Sequence, residues 1–339
     1  RQRQMCIRDR LTFFSPSGYE IRKNYEGADY VFYLPADTPS NARRFLDIVH
    51  PEIAIFIKYE FWINLLSELR RRKVRSYIVS AIFRRNSVFF RPYGAMWRQA
   101  LETFDTLFVQ NVESKRLLSE IGFDNVVVAG DTRFDRVAQI AAAAQRVETI
   151  ERFRGGGRLF VAGSTWGPDE EILLPLVNAN PDVKFVIAPH EMDEGRIAHL
   201  MRDAKGGAVR YTQCDAATRF DDVQVLVLDT MGMLSSVYGS ATWAYVGGGF
   251  GVGIHNTLEA ATFGLPIAFG PNYGKFKEAR DMVSLGCAVS VRTAGELAAW
   301  FAPLRDDEET LRRASRTAKD YTARNQGATG IILRSIFNS

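Results

Sequence analysis

The chain has 339 residues, 46% of them hydrophobic and 24% charged, and a formal net charge of +4. That is the make-up of a globular protein long enough for two domains, and it excludes disordered and collagen-like chains. The small net charge argues against a nucleic-acid partner, and no apolar run is long enough to span a bilayer. Cys6, Cys214 and Cys287 form no C-x-x-C, and His50, His190, His199 and His255 form no H-x-x-x-H, so neither a metal nor a cofactor is expected.

Residues 1–10 (RQRQMCIRDR) are charged and aperiodic, and they read as a non-native leader. From Leu11 onward, short apolar runs alternate with helical patterns, which predicts parallel α/β sheets. Strands are expected at Leu11–Phe14, Tyr30–Tyr33, Ile53–Ile57, Arg75–Val79, Thr106–Val109 and Val126–Val128. Helices are expected at Ser40–Val49, Phe61–Arg72, Pro92–Thr103 and Val112–Ile121. A single helical stretch, Ala138–Arg154, ends in Gly155-Gly156-Gly157, the best linker, so the domains are expected at 11–150 and 151–339. The second alternation places strands at Leu159–Ala162, Lys184–Ala188, Val225–Leu228, Trp243–Val246, Pro266–Phe269 and Ala288–Val291. Between them lie helices at Asp169–Asn178, Glu191–Arg202, Leu234–Gly239, Asn256–Phe263 and Lys275–Leu285, and the tail Glu308–Phe337 is helical. Two doubly wound domains of this kind would face each other across a ligand cleft.

Several strand ends carry chemistry. Gly247-Gly248-Gly249-Phe250-Gly251-Val252-Gly253 joins a strand to a helical pattern, with His255, Asn256 and Glu259 on its first turn. Glycines there admit a ligand close to the backbone, and free N–H groups suit a phosphate or carboxylate. Asn256 and Glu259 also fit a capping pair. The loop satisfies neither G-x-G-x-x-G nor the Walker pattern. Ser164 and Thr165 follow one strand, and Thr230, Met231 and Gly232 follow another; in each case ligand contact and helix capping are both open readings. Glu60 stands past a buried-looking strand beside Phe61 and Trp62, a setting suited to a catalytic carboxylate. Arginines at 70–72, 75, 84, 85, 91 and 98, near Phe89, Phe90, Tyr93, Met96 and Trp97, fit either a lipid-headgroup face or a solvated helix end.

Taken in order, these segments resemble those of the 3-deoxy-D-manno-octulosonic acid (Kdo) transferases of glycosyltransferase family 30. Thr12-Phe13-Phe14-Ser15-Pro16-Ser17-Gly18 is similar to the family's T-x-T-P-T-G. Tyr33-Leu34-Pro35-Ala36-Asp37 is similar to Y-L-P-x-D, and Glu60-Phe61-Trp62-Ile63-Asn64-Leu65 to E-L-W-P-N-L. Gly130-Asp131-Thr132-Arg133-Phe134-Asp135 resembles G-N-x-K-F-D, and Asp229-Thr230-Met231-Gly232 resembles D-T-M-G-E-L. His255-Asn256-Thr257-Leu258-Glu259 resembles H-N-x-L-E-P, and Gly270-Pro271 with Phe276 resembles G-P-x-x-x-N-F.

The resemblance implies a GT-B glycosyltransferase fold of two Rossmann-like domains. It implies inverting, metal-independent transfer of Kdo from CMP-Kdo to the lipid A precursor (lipid IVA) at the cytoplasmic face of the inner membrane, with peripheral membrane contact. By position, Thr230, Met231 and Gly232 would meet the cytidine phosphate. Asn256 and Glu259 would hold the ribose and phosphate region, with Ser164, Thr165, His190, Gly248, Gly249 and His255 completing the donor site. Glu60 would support the reacting groups, and Ser15 and Gly18 the acceptor. Departures from the pattern are Lys58, Ile63, Met233 and Ala260 where the family has Glu, Pro, Glu and Pro; Ala188-Pro189-His190 resembles P-R-H without its Arg, a role left to His190 or Arg196. The family's catalytic-base Glu lies in an S-V-G-E segment that, with the membrane anchor before it, has no counterpart from Leu11 on, so weak donor binding and poor turnover are expected. The rival readings are another GT-B enzyme, a UDP-sugar transferase or 2-epimerase, or a non-catalytic sugar-nucleotide or lipid-A-binding protein.

Overall fold

The structure, a computed structural model, describes residues 8–337. Cys6 and most of the expected leader lie outside them. The chain forms two compact units, one reaching Gly130 and resuming at Ile331, the other running from Asp131 to Gly330.

The first unit runs β1 (Arg10–Phe13), α1 (Pro16–Arg22), β2 (Tyr30–Tyr33), α2 (Pro39–Val49), β3 (Ile53–Ile57), α3 (Ile63–Arg71), β4 (Arg75–Ala81), α4 (Ala95–Leu101), β5 (Thr106–Val109), α5 (Val112–Ser119) and β6 (Val126–Val128). β1 and β2 pair in parallel, and β3-β4-β5-β6 form a separate parallel sheet. Successive residues point to opposite faces, so each strand feeds two cores. Ile78, Leu107 and Val109 pack with Leu46, Leu66 and Leu69. On the other face Tyr77, Val79 and Phe108 pack with Ile332 and Ile336, one helical turn apart near the end of the chain.

Two of the segments singled out in the sequence meet here. The first residue of α3 follows Trp62, which caps nothing. Asp37 supplies the cap from outside, accepting from Asn64 N (3.0 Å) and Leu65 N (2.9 Å), while Asn64 Nδ2 donates to the Asp37 carbonyl (2.8 Å). Replacing Asp37 with Ala strips two helix-start N–H groups of their acceptor. Urea unfolding should show the first unit losing about 1–2 kcal/mol.

The second unit continues with α6 (Thr132–Ala143), α7 (Glu148–Arg154), β7 (Leu159–Thr165), α8 (Gly167–Ala179), β8 (Lys184–Pro189), α9 (Glu194–Asp203), β9 (Ala208–Arg210), β10 (Val225–Val227), α10 (Leu234–Tyr238), β11 (Trp243–Val246), α11 (Leu258–Ala261), β12 (Ile267–Phe269), α12 (Lys277–Ser284), β13 (Ala288–Ser290), α13 (Ala294–Asp306) and α14 (Glu308–Arg324); the last helix, α15 (Ala328–Phe337), belongs to the first unit from Ile331 on. Its sheet is wholly parallel, ordered β13-β12-β11-β7-β8-β10-β9. Val161, Val186, Leu226 and Ala244 enter one core; Phe160, Phe185, Val225 and Trp243 enter the other.

Some expectations are corrected. The stretch Ala138–Arg154 is broken at Ala144, whose ψ of 125° is extended. In one continuous helix Ile150 would lie about 220° around from Val137; the break lets both join the same core. The helix expected over Asn256–Phe263 is only Leu258–Ala261, and the expected tail helix is two helices. Asp135 separates those two, accepting from Gly327 N (2.6 Å) and Thr329 N (2.7 Å) at the start of α15. No helix among the described residues is long and apolar enough to cross a membrane.

Candidate donor site at the strand ends of the second unit

In an open parallel sheet, ligands favour the carboxyl ends of the strands at the point where the winding reverses. Here the chain winds from β7 to β8 and out to the edge strand β9, inserts β10 between β8 and β9, then crosses to lay β11, β12 and β13 on the other side of β7. The reversal lies between β7 and β11, neighbours in register from Trp243↔Phe160 to Val246↔Gly163. The glycine loop after β11 and the Ser164–Trp166 segment at the end of β7 therefore stand side by side.

Their approach is backbone against backbone. A Cβ on Gly247 would lie 2.2 Å from the Ser164 carbonyl oxygen, and one on Gly249 would lie 2.6 Å from Gly270 N. Ser164 holds a positive φ of 54°, an unfavourable conformation for a residue with a side chain, at the centre of this contact. Gly248 has φ 89°. From the loop after β12, Asn272 Nδ2 donates to the Gly251 carbonyl (2.8 Å) and Lys275 Nζ to the Val252 carbonyl (2.6 Å).

One buried carboxylate ties the crossing together. Asp169, in the first turn of α8, has no solvent-exposed surface. It accepts from Gly248 N (2.9 Å), Trp166 N (2.9 Å) and Tyr245 OH (2.7 Å). Burial, then the neighbouring Asp169, pushes the Tyr245 phenol far above its ordinary range, so it stays a donor. The Gly248 amide is thus already committed, whereas the Gly249 amide has no acceptor among the described residues.

The other candidates fall as follows. Thr165 is buried, and its hydroxyl donates to Glu170 Oε1 (2.8 Å); Arg196 Nη2 donates to the same oxygen (2.8 Å), so this arginine is ion-paired beneath the loop. His190, at the end of β8, is exposed, with its ring 4.3 Å from that of His255 and 4.8 Å from that of Trp166. Trp166 Nε1 donates to His255 Nε2 (3.2 Å). Burial, then the adjacent His190, lowers the pKa of His255, against a smaller opposing pull from Asp169.

Asn256 does two things: its Oδ1 accepts from Leu258 N (3.2 Å) and its Nδ2 donates to Glu259 Oε1 (3.0 Å). Ser235 Oγ donates to Glu259 Oε2 (3.1 Å), which fastens the start of α10 to α11. Thr230, Met231 and Gly232 form the bend before α10; Met231 is 76% exposed and Gly232 has φ 85°. Asp229 anchors this bend, accepting from Arg210 Nε (2.8 Å) and Thr212 N (2.9 Å). Burial works to raise the Asp229 pKa, but the bonds from Thr212 and Arg210 outweigh it and hold it below the usual carboxylate range.

In the first unit, Glu60 is exposed rather than sheltered, and Trp62 Nε1 donates to its Oε2 (2.7 Å). Ser15 caps α1, its Oγ accepting from Gly18 N (3.2 Å). Among the residues grouped as a basic aromatic face, Phe89 lies in the core and Arg98 donates to the carbonyls of Phe89 and Arg91, while Tyr93 and Met96 are exposed.

The family model described as 3-deoxy-D-manno-octulosonic-acid transferase matches residues 1–136. The 3-deoxy-D-manno-octulosonic acid transferase of Bordetella pertussis is 27% identical over 314 residues, 90% of this chain and 73% of that one. The likeness to Kdo transferases therefore covers most of the chain, with the family model matching its first 136 residues. The enzyme of the same name from Haemophilus influenzae is 24% identical over 95% of this chain and 78% of its own length. In fold, the chain matches the UDP-GlcNAc 2-epimerase of Neisseria meningitidis bound to UDP-GlcNAc, with a TM-score of 0.66 at 15% identity over 97% of this chain and 91% of that one. The architecture is GT-B, as the motif order implies. Asp169 and Trp166, which organise the loop, carry no motif of their own, and they stand out only once β7 and β11 are neighbours.

Proposed function

We propose that the chain is a glycosyltransferase that moves Kdo from CMP-Kdo to the lipid A precursor at the cytoplasmic face of the inner membrane, inverting the anomeric centre without a metal. The observation that carries this is the likeness to Kdo transferases over 90% of the chain, and the glycine loop at the strand ends, whose Gly249 amide has no acceptor among the described residues, supports it. In this reading the unpaired backbone amides of the Gly249 turn and of the bend at Thr230–Gly232 receive the cytidine phosphate, and Asn256 and Glu259 meet the ribose. Dipoles aimed at a departing phosphate lower the barrier because they need no reorganisation as charge develops. Ser164 and His190 border the sugar. Thr165 acts from below by holding Glu170 in place. Glu60 supports the reacting groups, and Ser15 and Gly18 the acceptor, on the first unit.

Nucleotide protection tests the donor. At saturating CMP the melting temperature should rise by about 5 °C, and UDP should leave it unchanged. Protection by UDP alone would replace this reading with a UDP-sugar transferase or 2-epimerase; protection by neither would overturn both. Transfer of labelled Kdo to lipid A precursor tests the reaction itself.

A further inference from the structure

Three aromatic rings meet in a triangle at the crevice: Trp166 against His190 (4.8 Å between centroids), His190 against His255 (4.3 Å), and Trp166 Nε1 donating to His255 Nε2 (3.2 Å). Each ring comes from a different strand end: β7, β8 and the loop after β11. The indole nitrogen can only donate. His255 Nε2 must therefore be a bare acceptor, and the proton of the neutral ring sits on Nδ1. Gly248 admits this arrangement, since a Cβ there would lie 2.9 Å from His255 Cδ2.

We propose that Trp166 is a positioning residue for donor binding: its indole N–H locks His255 as the neutral, Nδ1-protonated tautomer, so that His255 offers the ligand one directed hydrogen-bond donor in place of a cation. The proposal rests on the reading of this crevice as the donor site. On balance the surroundings of His255 favour a neutral ring. Its burial and the neighbouring His190 on β8 both disfavour a cation there. Asp169 on α8 favours the cation, but its pull is the smaller one. From the loop after β12, Lys275 is held on the Val252 carbonyl. The lowered pKa of His255 agrees in sign. A histidine whose folded pKa lies below its unfolded value near 6.5 contributes stability in full above that value, and the contribution is lost as pH falls toward the folded pKa.

Nitrogen-15 NMR of the histidine rings, with and without the methyl phosphodiester of CMP, tests this; that phosphate keeps one charge across the pH range used. In the wild type, His255 should show the Nδ1–H tautomer at pH 7 and a titration midpoint below 6.5. Trp166→Phe keeps an aromatic ring for His190 but has no N–H. Its His255 should populate both tautomers and titrate at higher pH. Ligand binding by the variant should then tighten on going from pH 7.5 to 6 by up to about tenfold more than in the wild type, the factor set by one unit of pKa linkage. An Nε2–H tautomer in the wild type overturns the proposal without any variant. So does a variant with unchanged tautomer and midpoint. Failure of the wild type to bind at any pH overturns the donor-site reading instead, and the ligand-free spectra still decide the tautomer lock.

Discussion

Asp169→Ala should lower the stability of the second unit by about 3 kcal/mol or more and abolish nucleotide protection. The carboxylate receives two backbone N–H groups and a phenol at 2.7–2.9 Å in a place with no solvent contact. Alanine leaves all three donors buried, each at a cost of about 1–3 kcal/mol before relaxation. One of the three is Gly248 N, so the loss falls on the loop that would hold the donor. Asp169→Asn keeps one carbonyl oxygen and adds an amide with no acceptor provided, so it should fall between wild type and Asp169→Ala. Chemical denaturation followed by Trp fluorescence measures the first effect, and the CMP melting shift the second. A wild-type melting shift in Asp169→Ala would show that Gly248 does not need this anchor.

Gly247→Ala should be comparably severe, for a steric reason. The new methyl would sit 2.2 Å from the Ser164 carbonyl oxygen and 2.7 Å from Thr165 Cα, both backbone atoms of a central strand. Neither can rotate away, so β11 or the end of β7 must shift, at a cost of about 3 kcal/mol, the upper end for overpacking. Gly232→Ala is the matched control. Nothing lies within 4 Å of its Cβ, and only its φ of 85° opposes the change, worth about 1–2 kcal/mol. Denaturation midpoints for the pair should rank Gly247→Ala well below Gly232→Ala. Equal losses would mean that the β7–β11 crossing yields more easily than its geometry implies.

The strands were legible because each reads as a short apolar run bounded by turn residues, continuous where both faces are buried as in Trp243–Val246. Tyr30–Tyr33, Ile53–Ile57, Thr106–Val109, Val126–Val128 and Trp243–Val246 stand as expected. α1, β9 and α13 do not follow from the expected list. α1 buries no residue and β9 has three residues, so neither has a strong periodic signal. α13 does carry a legible start, Thr293 followed three residues later by Glu296. The break at Ala144 has no local signature, because it serves a core that is assembled from distant segments.

The same division runs through the site. The glycine loop, the Asn256–Glu259 pair and the bend at Thr230–Gly232 are local features, and their chemistry follows from residue type and spacing alone. What the loop rests on is different. Asp169 meets Gly248 across 79 residues and Trp166 meets His255 across 89. Nothing near Asp169 distinguishes it from an ordinary helix-capping carboxylate, and nothing near Trp166 marks its indole as the partner of a histidine. Sequence by itself determined the alternation of strand and helix, the likeness to Kdo transferases, and the stretches where backbone would be free to meet a ligand. Only the tertiary structure decided which of those backbone groups are already taken, because sheet order sets β7 beside β11, and hydrogen bonds between strand ends depend on that adjacency rather than on any local pattern.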